Sequence, residues 1–181
     1  MKKIIVRLAA VLCCSVALLF VSCQKGGGSS TPEEQTDLTP ATVELVFTFW
    51  GTQDMLDFAD TKVTYNDGTG DKTETVTVTE WKKTVKAALP VSFKFERKVT
   101  LKDGFHFQDD QAYSYTIAHF VEYKILNAKG MEISSRRSGG SGLPNSLKGN
   151  KIGFIVDKGD LDASYTFDFD KDGKCPQIDT Q

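Results

Sequence analysis

The sequence predicts an all-β fold, an antiparallel β-sandwich of about seven to nine strands. Three observations carry that expectation. From Thr42 onward, apolar residues recur with a period of two, the signature of strands with one buried face. Turn-forming residues punctuate the chain at Asn66-Asp67-Gly68, Asp103-Gly104, Asn127-Ala128-Lys129-Gly130 and Asp157-Lys158-Gly159-Asp160. No stretch beyond the N-terminal segment holds a sustained helical period. A β-barrel is the alternative closure of the same strands.

The chain begins with Lys2, Lys3 and Arg7, followed by a nearly unbroken apolar run that ends at Ser22-Cys23. A cationic start, a short apolar segment and a small residue before the break predict a cleaved secretory signal over 1–22. Phe20-Val21-Ser22-Cys23 resembles the lipobox of bacterial lipoproteins, with Phe20 standing where Leu is usual. That resemblance implies that Cys23 is diacylated, becomes the mature N-terminus and anchors the protein to the outer membrane of a Gram-negative envelope. Some surface-exported lipoproteins carry acidic residues just after that cysteine, and Gln24-Lys25-Gly26 departs from this pattern. Residues 23–41 then read as the lipidated Cys and a flexible linker, because Gly, Ser, Thr and Pro without apolar spacing cannot bury a core.

Removing residues 1–22 takes away Lys2, Lys3 and Arg7 and no acid, leaving 19 basic against 24 acidic residues and a formal charge of −5. That balance provides no basic footprint for nucleic acid. The cysteines leave no disulfide framework: Cys13 and Cys14 depart with the signal, Cys23 takes lipid, and Cys175 remains as a lone thiol.

The predicted sandwich spans 42–170, with 171–181 as a C-terminal tail. Val43, Leu45, Phe47 and Phe49 alternate with Glu44, Val46, Thr48 and Trp50 in the first strand. One turn of helix is allowed at 55–60, and 81–88 reads as either helix or strand. Val91, Phe93, Phe95, Val99 and Leu101 define an inward face that only Arg97 interrupts. The run from Tyr113 to Leu126 reads as one long strand, with Ile117 and His119 in its inward phase. Ala163, Tyr165, Phe167 and Phe169 repeat the device near the end. Shorter strands are expected at 61–66, 73–79, 82–86, 131–136 and 151–156. The segment EYKILNAKGMEI resembles the strand-turn-strand hairpins of bacterial immunoglobulin-like and fibronectin-like modules, which implies an immunoglobulin-like sandwich.

Four groups of residues are candidates for chemistry. Asp168, Asp170 and Asp172, with Gly173 and then Asp179, fall at positions 1, 3, 5, 6 and 12 of a calcium-loop spacing. Position 12 is Asp where Glu is usual, Pro176 lies inside the loop, and no helix flanks it. The competing reading is that Asp168 and Asp170 are acids on a solvated strand face. Trp50 and Trp81 are candidates for stacking on sugar rings, against the alternative of plugging a sandwich edge. Arg136 and Arg137, with Lys148 and Lys151, surround the glycine-rich 138–151 segment, which is either a recognition loop or a simple hairpin loop. His106 and His119 lack the companions zinc requires and read as buried or half-buried sheet residues.

No nucleophile elbow, zinc-protease motif or paired catalytic cysteine is present, so the expected role is binding without catalysis. The expectation is a lipid-anchored extracytoplasmic module for a glycan or protein ligand in the cell envelope. The alternative is a structural accessory subunit of an envelope or adhesin assembly that works by strand addition.

Overall fold

The first strand, β1 (Thr42–Trp50), occupies an interior position in its sheet, and its alternation explains why. Val43, Leu45, Phe47 and Phe49 are all buried on one face, and both backbone edges are paired. The computed structural model describes residues 37–140 and 143–179. The predicted signal segment, Cys23 and the linker as far as residue 36 lie outside the described residues.

Two four-stranded antiparallel sheets make up the sandwich. In the first, β1 lies between β4 (Glu80–Ala88) and β7 (His119–Leu126), and β8 (Glu132–Gly139) forms the far edge. The second runs in the order β10 (Ala163–Phe169), β5 (Val91–Leu101), β2 (Ala59–Asn66) and β3 (Asp71–Val76). A two-stranded ribbon joins β6 (Ala112–Tyr115) to β9 (Asn145–Lys148). Among the described residues ten strands thus form where about seven to nine were expected, and no sheet closes into the alternative barrel.

Aromatic rings hold the two inner faces together. Phe47 of the first sheet stacks on Phe95 of the second with ring centroids 4.5 Å apart. Tyr123 meets Phe169 edge-on at 4.9 Å. Burying each such side chain contributes about 1.5–3 kcal/mol, so these rings dominate the core. In β5, Phe93, Phe95, Arg97 and Val99 are buried while Ser92, Lys94, Glu96 and Lys98 are exposed, as the period predicts.

Several expectations are corrected. The run from Tyr113 to Leu126 is not one strand but β6 and β7, which belong to different sheets. At the break, the Thr116 amide donates to Met55 Sδ at 3.3 Å and Thr116 Oγ1 accepts from the Ala118 amide at 3.1 Å. Ile117, expected inside, is 51 % exposed as a result. The segment 151–156 is helical, within α2 (Gly149–Asp157), where Ile152 and Val156 are buried one turn apart and Phe154 faces out. The glycine-rich 138–151 segment is therefore not simply a hairpin loop, because β9 and the start of α2 occupy its second half.

Gly149 makes that junction possible. A Cβ there would lie 2.2 Å from the carbonyl oxygen of Gln108. The allowed helical turn is present as α1 (Gln53–Phe58), whose N-cap Thr52 accepts the Met55 amide at 3.1 Å. The expected tail at 171–181 is part of the fold as far as it is described. Gly173, Cys175 and Ile178 are buried, the last at the short helix α3 (Pro176–Asp179).

Candidate functional site

Cross-strand register builds the outer face of the first sheet. Thr48 of β1 lies opposite Lys82 of β4 and Phe120 of β7, and Trp50 lies opposite Glu80. One strand further out, Glu122 pairs with Arg137 and Phe120 with Gly139. These residues line an open groove of about 560 Å³. Trp50 and Phe120 form its aromatic surface, with ring centroids 6.1 Å apart and tilted by 48°. Thr48, on this nominally outer face, is only 2 % exposed.

Charged groups of both signs rim the groove. Lys82 Nζ lies 2.7 Å from Glu80 Oε1 on one side. That hydrogen bond holds the Glu80 carboxyl below its ordinary range, and Trp50 makes a smaller contribution. On the other side the Arg137 guanidinium lies over the Phe120 ring at 5.3 Å and is 3.8 Å from Glu122. With its side chain 73 % exposed, Arg137 is held loosely and keeps donors free for a ligand. Gly139 (φ +91°) closes the rim where a Cβ would lie 2.5 Å from the His119 carbonyl oxygen.

Of the four predicted ligand-binding residues, Trp50 and Arg137 meet in this groove. Trp81 does not: it is 7 % exposed, packs edge-on to Phe47, and donates its indole N–H to Glu74 Oε2 at 3.1 Å. Its register opposite Phe49 puts it on the inner face. Arg136 projects away from the groove, since adjacent strand residues face opposite sides and its partner is the inward Tyr123. Phe120, Glu80, Lys82 and Glu122 escaped notice as site residues. The signal for Phe120 was available in its out-of-phase position beside the inward Val121.

The candidate calcium residues each engage separate donors. Asp168 accepts from Ser92 Oγ at 2.6 Å and from Gln177 Nε2 at 2.9 Å. Asp170 Oδ1 accepts the amides of Asp172 at 2.8 Å and Lys174 at 2.9 Å, closing the turn that Gly173 permits. These amides, Lys174 first, hold the Asp170 carboxyl below its ordinary value. Asp172 pairs with Lys171, and Asp179 takes the Tyr123 hydroxyl and the Cys175 amide. Among the described residues no group of three or more His, Cys, Asp or Glu is arranged to hold a metal ion. The Cys175 thiol is fully buried, and burial pushes its pKa up to about 11. At neutral pH it is a packing group without nucleophilic character.

A second polar feature lies inside the sandwich. Arg97 is 5 % exposed, donates through Nε to the Leu161 carbonyl at 2.9 Å and stands over the Phe49 ring at 4.6 Å. His119 lies between Phe47 and Tyr165, and desolvation, with Arg97 nearby, lowers its pKa. His119 is thus half-buried, whereas His106 is exposed in the loop before β6. Arg97 and His119 thus pack within the core, whereas the expectation that His106 is buried or half-buried is corrected, because its loop leaves it in solvent.

No protein-family model, curated protein or solved structure gives a significant match to this chain. The fold and the groove together define an all-β sandwich with an aromatic, charge-rimmed platform on one sheet.

Proposed function

We propose that this protein is a lipid-anchored, extracytoplasmic binding module that holds a glycan in the Trp50–Phe120 groove. The observation that carries the reading is that groove: two aromatic rings on an outer sheet face, flanked by Glu80–Lys82 and Glu122–Arg137. A sugar ring has an apolar C–H face and a rim of hydroxyls that both donate and accept. The rings offer the first a stacking surface, and the carboxylates and cations offer the second partners of both kinds. The near balance of charge suits a neutral sugar better than a polyanion.

The lipid anchor rests on the cationic start, the apolar run and Ser22-Cys23. The Asp37 carbonyl accepts from Asn127 Nδ2, and the Ala41 amide donates to Leu126, so the chain enters at the end where β7 turns toward β8. Trp50 closes the opposite end of β1, about 27 Å away along the strand.

The test is a panel of neutral oligosaccharides titrated against the detergent-solubilised full-length protein, followed by tryptophan fluorescence. A bound sugar should perturb Trp50, and Trp50→Ala should weaken affinity about tenfold or more, equivalent to about 1.4 kcal/mol. Retention that is unchanged in both Trp50→Ala and Arg137→Ala would sink the assignment. The anchor is tested separately with Cys23→Ala, which should move the protein from the membrane fraction to the soluble one or leave it unprocessed.

A further inference from the structure

Arg97 carries its charge between the two sheets with no carboxylate bonded to it. It is 5 % exposed, and its Nε and Nη1 groups donate to main-chain carbonyls, of Leu161 at 2.9 Å and of Ile117 at 3.5 Å. Among the described residues no acidic side chain forms an ion pair with it. Asp162, the acid whose charge reaches it, turns Oδ1 to the Val99 amide at 2.8 Å instead. A cation withdrawn from water is costly unless an opposite charge sits beside it. The Nη2 corner makes no hydrogen bond at all. Among the described residues no unpaired side-chain nitrogen or oxygen is sealed from solvent, so that corner stays within reach of a small solute.

Two further donors stand beside it. Arg97 and Tyr165 are diagonal neighbours on the inner faces of β5 and β10, since Arg97 lies opposite Ala163 and Tyr165 opposite Phe95. His119 comes from the facing sheet. Its ring lies 4.1 Å from that of Tyr165, and its register partner Phe49 is the ring over which the guanidinium stands. Both His119 and Tyr165 are half-buried, and neither the phenol hydroxyl nor the imidazole nitrogens have a hydrogen-bond partner in the fold. Desolvation first, and the Arg97 charge second, lower the His119 pKa. The ring is therefore neutral at pH 7 and offers one N–H.

We propose that Arg97, His119 and Tyr165 form a binding site for a small monocarboxylate between the two sheets. The guanidinium corner, the imidazole N–H and the phenol O–H are donors that share no acceptor. A carboxylate is acceptor-only, and its two oxygens can take all three. One fixed cation beside a neutral imidazole balances one negative charge. A phosphate dianion would bring a second, uncompensated charge into the same low-dielectric space. The site lies on the inner side of β7, where His119 points, and the aromatic groove lies on its outer side with Phe120, so neither reading depends on the other.

The probe is acetate, titrated at constant ionic strength into the full-length protein in detergent, with the histidine ring protons followed by NMR. His106, exposed in its loop, is the internal reference, and His106→Gln assigns the two sets of signals. Acetate should shift the His119 signals saturably and raise the His119 pKa, because a bound carboxylate favours the imidazolium, while His106 stays in place. Phosphate dianion should bind at least about tenfold more weakly. Tyr165→Phe removes a hydroxyl that bonds to nothing in the fold, so it should leave the acetate-free Tm unchanged and weaken acetate about tenfold. Absence of a saturable His119 shift, or an equal shift at His106, would reduce Arg97 to a strut for the Leu161 and Ile117 carbonyls and overturn the site. Undiminished acetate binding by Tyr165→Phe, or tighter binding of phosphate than of acetate, would overturn it as well.

Discussion

Removing Glu74 should cost this domain more than its half-buried position on an edge strand suggests. The Glu74 carboxylate accepts the Tyr65 hydroxyl at 2.6 Å, the Trp81 indole N–H at 3.1 Å and Lys83 Nζ at 2.5 Å. The ion pair itself contributes little, since Lys83 can turn to water when its partner is lost. The two neutral donors decide the magnitude. Tyr65 is 2 % exposed and Trp81 7 %, and each buried donor left without an acceptor costs about 1–3 kcal/mol. Partial access of water from the flank reduces the sum, so Glu74→Ala should lose about 2–4 kcal/mol in all. For a domain of this size that is a fall in Tm of roughly 8–15 °C.

Thermal melts read the loss, and a double-mutant cycle apportions it. In a Tyr65→Phe background the hydroxyl is already gone, so Glu74→Ala should cost at least about 0.5 kcal/mol less. The pH dependence adds an independent check. Hydrogen bonds from Lys83 first and Tyr65 second lower the Glu74 pKa from 4.5 in the folded state. The stability this brings is complete above the unfolded value and is lost as pH falls through the lowered folded value. Lys83 is raised from 10.5, so its share is complete below the unfolded value and is lost as pH rises through the raised one. Wild type should therefore lose this contribution on the acid limb, below about pH 4.5, where Glu74→Gln should lack it. A Glu74→Ala loss under 1 kcal/mol, or strict additivity with Tyr65→Phe, would refute the account of a flank held by neutral donors.

Other substitutions separate the inward face from residues that only share its phase. Phe95→Ala, which empties a site between Phe47, Tyr65 and Phe167, should cost about 3–5 kcal/mol by denaturant unfolding. Ile117→Ala should change stability by about 0.5 kcal/mol or less, because half of that side chain already meets solvent. Gly149→Ala forces a methyl against the Gln108 carbonyl, so it should lower Tm sharply and loosen α2, read as a loss of amide protection at Ile152. Calcium at millimolar concentration should leave Tm unchanged, because Asp170 and Asp179 already serve amides and the Tyr123 hydroxyl. A calcium-induced rise that disappears in Asp170→Asn would restore the metal loop.

The sequence alone determined the class of fold and the inner faces of its regular strands. Period two in β1 and β5 reports burial directly, because alternate side chains in a strand must face opposite ways, and even the inward Arg97 could be read. Periodicity reports nothing about which partner a strand meets, and the errors follow from that. Tyr113–Leu126 keeps its alternation on both sides of Thr116, yet the two halves pair with different sheets, and Ile117 at the break turns out. Residues 151–156 are too short and too uniformly apolar for a period to choose between strand and helix. Contact of Ile152 and Val156 with the core made that choice. Trp81 lies between Glu80 and Lys82 and Trp50 between Phe49 and Gly51, neither flank deciding its face; register opposite Phe49 sent Trp81 inward while pairing with Glu80 kept Trp50 on the outer face. The groove itself was beyond any local reading. Phe120 and Arg137 lie on the two arms of the β7–β8 hairpin, but Trp50 lies far upstream on β1, and only the long-range pairing of β1 with β7 brings all three side chains to one surface.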